Sequence, residues 1–208
     1  MITQNQVETF ERCMAVGGIA VFGADTVYGL ACEPDTEEAV ARLYEIKGRP
    51  PDKPAAVLFF SLDLALAALP ELGPRTVGAL EGLMPGAVTA LLPNPARRFP
   101  LACGPDPDTL GLRVPALGPA TSALGAVRWP VLQSSANASG GADARRLQDV
   151  PAAIRESADL LLDAGELDGT ASTVVDLRRF EEHGTWDILR EGAVSRTCVV
   201  AALEGLIP

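Results

Sequence analysis

The chain has 208 residues, 48% of them hydrophobic and 21% charged, so it can fill a core and is not a disordered chain. Seventeen basic residues face 27 acidic ones, a net charge of −10, and aromatics make up only 5%. This excludes a bulk electrostatic grip on nucleic acid and a stacking platform along a single strand, while a local basic cleft stays open.

Scarce residues exclude more. The single histidine, His183, rules out a His-rich metal site, and within Glu181-Glu182-His183-Gly184-Thr185 it reads as a solvated turn. Cys13, Cys32, Cys103 and Cys198 show no C-x-x-C spacing and read as free buried thiols in a reducing compartment. The N-terminus is polar and acidic, and no uncharged apolar run reaches the length of about 18–20 residues that a membrane span needs. A soluble cytoplasmic protein with no membrane partner is the expectation.

Thr3 with Gln6 forms a capping-box pattern, Val7, Phe10 and Met14 follow at helical spacing, and Gly17-Gly18 ends that helix. Strands are predicted at Ile19–Phe22 and Val27–Cys32 around a tight Gly23-Ala24-Asp25-Thr26 loop. Asp35 with Glu38 caps a second helix whose apolar face is Ala39, Leu43 and Ile46, before a loop over Lys47–Pro54. A strand at Ala55–Phe60 precedes helices at Leu62–Leu69 and Thr76–Leu83. Strands at Val88–Leu92 and Leu110–Val114, a helix over Ala120–Val127 and a strand at Val131–Ser134 come next. Asp143-Ala144-Arg145-Arg146 opens a helical stretch, and Ala152–Ala158 is a helix. The last third adds strands at Leu160–Leu162, Ser172–Leu177 and Trp186–Leu189, and Ser195 caps a closing helix around Val199–Leu206. Strands and helices alternate without repeats or a long linker. The pattern predicts one α/β domain over residues 1–208, its sheet mixed because some strand pairs lie too close for a helical crossover.

Two segments stand out chemically. Lys47 and Lys53 are the only lysines, against 15 arginines, and both flank Arg49 in one loop. A point charge beside a planar fork suits phosphate or carboxylate groups. Ser134-Ser135-Ala136-Asn137-Ala138-Ser139-Gly140-Gly141 follows a buried strand, where hydroxyls, an amide and free backbone N–H groups make an α/β ligand edge. There is no G-x-x-x-x-G-K-[ST], no G-x-G-x-x-G and no G-x-S-x-G, so neither standard phosphate loop nor a serine-hydrolase elbow is present.

Seven pieces in order carry a resemblance: Asp25-Thr26-Val27-Tyr28-Gly29-Leu30-Ala31-Cys32, Lys47-Gly48-Arg49-Pro50, Pro85-Gly86-Ala87-Val88-Thr89, Gly111-Leu112-Arg113-Val114-Pro115, Ser135-Ala136-Asn137-Ala138-Ser139-Gly140, Ser172-Thr173-Val174-Val175-Asp176-Leu177 and Ile188-Leu189-Arg190-Glu191-Gly192-Ala193-Val194. Over about residues 7–195 the chain resembles the short, single-domain members of the YrdC/Sua5 family, the threonylcarbamoyl-AMP synthases. The resemblance implies a twisted mixed α/β sheet flanked by helices, with a large concave basic cavity and a closing helix over 196–208. It implies condensation of L-threonine, bicarbonate and ATP, with Mg²⁺ arriving on ATP, to threonylcarbamoyl-AMP and pyrophosphate. The product then passes to a tRNA threonylcarbamoyl-transfer complex. Binding of tRNA or double-stranded RNA by the chain itself is a weaker implication.

By position, the resemblance assigns Lys47, Arg49, Lys53, Thr109, Ser135, Asn137, Arg145 and Arg190 to the nucleotide, with Arg146 the alternative to Arg145. Lys47 and Arg49 are also the catalytic pair. Ala24, Thr26, Arg113, Ser134 and Ser172 are assigned to threonine. The Lys47–Arg49 loop is expected to be exposed, so that replacing either residue by alanine strongly cuts adenylate formation and leaves the fold intact. One departure is Ala24, where the family has a threonine whose hydroxyl contacts the substrate. It keeps open a paralogue that handles another carbamoyl-adenylate, as the related domain in hydrogenase maturation does, or a double-stranded RNA-binding relative.

Overall fold

The computed structural model describes residues 1–206. Helix α1 (Gln4–Ala15) starts on the full capping box of Thr3 and Gln6 and buries Val7, Phe10 and Met14. Strands β1 (Ala20–Gly23) and β2 (Tyr28–Cys32) form an antiparallel pair around the 24–27 loop. Helix α2 (Glu37–Lys47) is entered from Thr36, not Asp35, and Thr36 makes no side-chain cap. The helix closes with Gly48 in the left-handed region at φ 58°, which a glycine adopts without steric cost.

Then come β3 (Ala56–Leu58), α3 (Leu62–Ala68), α4 (Pro74–Leu83) and β4 (Val88–Pro93). A four-residue helix, α5 (Pro100–Cys103), precedes β5 (Thr109–Arg113) and β6 (Val131–Ser135). The helix expected over 120–127 is a short 3₁₀ turn, Ser122–Ala126, and the stretch expected from Asp143 has only a 3₁₀ turn at Leu147–Asp149. Pro119 and Gly125 shorten the first, and the glycine pair at 140–141 with an Arg145–Arg146 surface turn gives the second no apolar stripe. The chain ends through α6 (Ala152–Ser157), β7 (Leu160–Leu162), β8 (Thr173–Asp176), α7 (Phe180–His183), β9 (Asp187–Arg190) and α8 (Arg196–Leu203). Ser195 caps α8 as the sequence predicts. The closing helix expected over 196–208 stops at Leu203, and residues 207–208 lie outside the described residues.

The nine strands form one mixed sheet in the order β7-β1-β2-β6-β3-β5-β4-β8-β9. Pairs β1–β7, β3–β5 and β4–β8 are parallel and the rest antiparallel. Helix α1 packs on β1 and β7, α2 on β2, and α4 against α7 and α8. Phe10, Phe22 and Phe60 meet at centroid distances of 5.6–6.1 Å, so α1 is joined to β1 and β3's trailing segment by aromatic edges.

His183 ends the single turn of α7 and is exposed. Of the thiols, Cys32 and Cys103 are buried as expected, but Cys198 is exposed on the outer side of α8 and Cys13 is only half-buried. No helix among the described residues is long and apolar enough to cross a membrane.

Gly192 lies flat on the segment that leads into β8. A Cβ there would press on the Ala171 carbonyl oxygen and stand 2.5 Å from backbone atoms of Ser172 and Thr173. Gly192→Ala is therefore expected to cost about 1–3 kcal/mol in urea unfolding, the usual penalty of overpacking; an unchanged midpoint would show that this junction yields.

Candidate active site

The loop after β6 is built around a buried ammonium. The apolar stripe of α2, Ala39, Val40, Leu43 and Tyr44, ends one turn later on Lys47, which is only 3% exposed. Lys47 Nζ donates toward the Ser135 carbonyl (2.5 Å), Ser135 Oγ (3.2 Å), the Asn137 carbonyl (2.9 Å) and Asn137 Oδ1. Its own carbonyl accepts from Ser139 N at 3.0 Å. Asn137 Nδ2 donates to the Gly141 carbonyl (2.7 Å) and Asp143 Oδ1 (3.1 Å), which closes the loop on itself. Lys47 thus belongs to the buried face of a helix, not to an exposed loop, and the fold depends on it. Burial, helped by the Arg49 charge, pulls its ammonium down to about 8.

Arg49 stands nearer the open space. Its Nη1 donates to Ser134 Oγ at 3.3 Å, its Nη2 to the Pro54 carbonyl, and its guanidinium lies 5.5 Å from the Tyr44 ring centroid. Lys53 is exposed and does not line the cavity; its carbonyl accepts from Tyr44 Oη (2.8 Å) and Arg49 Nε (3.4 Å).

A second cluster is carried by four neighbouring strands. Val174 of β8 pairs with Thr89 on one side and Arg190 on the other. Arg113 falls one step beyond the Ala90–Leu112 pair, level with Thr89. Arg113 is 5% exposed and its Nη2 donates to Asp25 Oδ1 (2.6 Å) and Thr26 Oγ1 (3.2 Å). Asp25 Oδ2 also accepts from Ala116 N at 3.2 Å, so the carboxylate holds the arginine and the strand exit together. Burial pulls Arg113 below the usual arginine range, and Asp25 opposes that pull. Its Nε has no hydrogen-bond partner among the described residues, and Nη1 is likewise unspent on protein. Ser172 Oγ and Thr89 Oγ1 share a hydrogen bond of 2.8 Å, and Arg190 Nη2 donates to the Ser172 carbonyl (2.9 Å) and to Ser172 Oγ (3.2 Å).

Both clusters border one cavity of about 470 Å³ over this face of the sheet, within the usual range of about 300–1,000 Å³ for small-molecule sites and larger than an amino acid alone requires. Of the residues that sequence singles out, Arg49, Thr109, Arg113, Ser134, Ser135, Ser172 and Arg190 line it. Lys47 and Asn137 sit behind Ser135 and shape its edge. Thr26 is buried behind Arg113. Ala24 contributes its methyl to the core and its carbonyl to Thr121 Oγ1 (3.3 Å), so it does not face the cavity.

Arg145 and Arg146 lie outside the lining, both paired with Glu166, at 3.1 and 2.6 Å. Arg178, Asp106, Asp143 and Gln133 also line the cavity, and sequence reasoning missed them because none stands in a recurrent motif. Four arginines, Arg49, Arg113, Arg178 and Arg190, and two aspartates, Asp106 and Asp143, line the wall, and Arg113 and Arg178 are ion-paired with Asp25 and Asp176. Among the described residues no group of three or more His, Cys, Asp or Glu side chains is arranged to hold a metal ion.

A sheet face lined by arginines, serine and threonine hydroxyls and a clamped Ser-x-Asn loop defines an α/β protein with a small-molecule cavity. The chain matches the Sua5/YciO/YrdC family, whose description reads "Telomere recombination", over residues 12–192, and it belongs to that family. It is 35% identical over 162 residues to the threonylcarbamoyl-AMP synthase of Xanthomonas campestris pv. campestris (strain B100), covering 76% of this chain and 84% of that one. It is 34% identical over 181 residues to the enzyme of the same name from Chromohalobacter salexigens, covering 86% of this chain and 96% of that one. Among solved structures, Sua5 of P. abyssi complexed with L-threonine superposes with a TM-score of 0.84 at 26% identity. That match covers 100% of this chain and 59% of the Sua5 chain, so the chain spans about three-fifths of that protein's length.

Lys47→Met is expected to lower stability by about 1–3 kcal/mol at pH 7, because four oxygens lose their donor. The folded value near 8 lies below the ordinary 10.5, so the unfolded chain holds the extra proton between those values and stability gained from this lysine rises with pH across that window. Urea unfolding of the variant at pH 7, 8, 9 and 10 should lack that rise. A variant as stable as the parent, with the same pH slope, would mean that the ammonium is not the clamp.

Proposed function

We propose that this chain is an L-threonylcarbamoyladenylate synthase: it condenses L-threonine, bicarbonate and ATP to threonylcarbamoyl-AMP, pyrophosphate and water. The observation that carries the reading is that a phosphate-type edge (Arg49, Ser134, Ser135) and a carboxylate-type row (Arg113, Ser172, Arg190) share one cavity. Thr109 and Arg113, on the same face of β5, lie about 13 Å apart at the strand rise, a span that suits a nucleotide joined to an amino acid.

In this reading the triphosphate lies along Arg49 and the loop that Lys47 holds, and the threonine carboxylate takes the unspent donors of Arg113. The threonine amine attacks bicarbonate, or the CO₂ derived from it, to give a carbamate. A carbamate oxygen then attacks the α-phosphorus, and pyrophosphate leaves. The chain's part is to position the three reactants and neutralise charge, which needs cations and fixed donors more than an acid–base histidine. With no acidic cage among the described residues, Mg²⁺ comes as part of the ATP substrate.

The product is an adenylate that other proteins spend on tRNA, so the chain has no need to grip tRNA itself, in line with its charge of −10. The second reading, a carbamoyl-adenylate enzyme that uses no threonine, rests on the sequence departure at Ala24 alone, whose methyl packs into the core and not into the cavity.

Pyrophosphate release from ATP and bicarbonate, with and without L-threonine and with the product weighed by mass spectrometry, separates the two. Threonine-dependent release with the mass of threonylcarbamoyl-AMP is expected. Release that ignores threonine establishes the second reading, and binding of ATP with no turnover defeats both.

A further inference from the structure

Between Arg113 and Ser172 the cavity wall carries a third polar side chain, Thr89. Strand β4 runs between β5 and β8, and its Thr89 stands level with Arg113 on one side and pairs with Val174 on the other. Thr89 and Leu91 both line the cavity, as the two-residue period of a strand requires of one face. Thr89 is 9% exposed. Among the described residues its hydroxyl makes one hydrogen bond, 2.8 Å long, to Ser172 Oγ.

This row has more hydrogen-bonding capacity than a carboxylate uses. Arg113 keeps Nε and Nη1 free of partners among the described residues, and such cationic donors suit a carboxylate. Arg190 spends Nε and Nη2 on Ser172, with Nη2 reaching Ser172 Oγ at 3.2 Å. Each hydroxyl of the Thr89–Ser172 pair brings one proton and two lone pairs. Their mutual bond uses one proton and one lone pair, and Arg190 uses a second lone pair. One O–H and two lone pairs stay open toward the cavity. That is the complement of a further hydroxyl, to which the pair can donate and from which it can accept.

We propose that Thr89, together with Ser172, reads the β-hydroxyl of the amino-acid substrate, which makes Thr89 a specificity-determining residue for threonine. This rests on the function proposed above and deepens it. Side chains level with each other on neighbouring strands stand about 4.5–5.5 Å apart at Cβ. A carboxylate on Arg113 therefore brings the other substituents of the same Cα within reach of Thr89. The amine must stay free to attack bicarbonate, so the side chain is the group turned to the wall. An amino acid without the hydroxyl would leave buried hydroxyls unpaired, a stronger ground for rejection than a missing methyl.

The test measures the Kd of L-threonine and of L-2-aminobutyrate, the same skeleton without the hydroxyl, by calorimetry at a saturating non-hydrolysable ATP analogue. The parent, Thr89→Val and Thr89→Ser are compared, with thermal unfolding as a check on the fold. The parent is expected to favour threonine at least about tenfold. Thr89→Val keeps the shape and removes the hydroxyl. It should weaken threonine about fivefold or more, the worth of one neutral hydrogen bond, and leave 2-aminobutyrate within about twofold. Thr89→Ser should keep the preference. Equal weakening of both amino acids in Thr89→Val would mark a packing role and overturn the proposal. Loss of the preference in Thr89→Ser, or a parent that does not distinguish the two amino acids, would overturn it too. If the parent binds neither amino acid, the proposed function falls and takes this assignment with it. If the parent prefers threonine and Thr89→Val binds it as well as the parent does, only the assignment falls.

Discussion

The site hangs on one buried ammonium. Lys47 closes α2 and is gripped by oxygens of Ser135 and Asn137, while its carbonyl takes Ser139 N. A lysine costs free energy to bury unless its donors are satisfied, and here each proton has an oxygen to meet. The gain is geometric. The helix end, the end of β6 and the 135–141 loop become one rigid edge, and Arg49, two residues on, is held beside Ser134 at the rim of the cavity. A loop rich in serine, alanine and glycine would otherwise have little to fix it.

A similar economy governs the opposite row. Arg113 is placed in an apolar surround by a single carboxylate, Asp25, which also takes the Ala116 N–H and so ties β5's exit to the loop between β1 and β2. Both side chains of that pair are 6% exposed. Such a pair adds little net stability, but removing either partner strands the other charge, so the orientation of the guanidinium is strongly enforced.

The sequence shows most of the strands, because buried apolar runs and turn residues mark them locally, and Thr3 and Ser195 are read correctly as caps. Four-residue helices such as α5 and α7 carry too few turns for a periodicity to appear. The burial of Lys47 was legible in part: the stripe through 39 and 43 reaches 47 one turn later, but Gly48 and the prolines beyond drew the whole segment into a loop.

The motif residues that converge, Arg49, Ser135, Arg113, Ser172 and Arg190, were visible as sequence patterns, whereas their meeting on one face depends on strand order. Asp25 and Arg113 lie 88 residues apart, and no local signal couples them. Arg145 shows the converse: a cation placed by motif position turns to Glu166 on the surface.

The central claim is that one sheet face holds the nucleotide at the Ser135 edge and the amino acid at the Arg113 row. A crystal structure of the protein with a non-hydrolysable ATP analogue and L-threonine tests it most directly. The expected result is a triphosphate against Arg49 and the 135–141 loop, and a threonine carboxylate on Arg113 with its amine turned toward the α-phosphate. A nucleotide or threonine bound away from this cavity, or the two placed with their reactive ends apart, would contradict it.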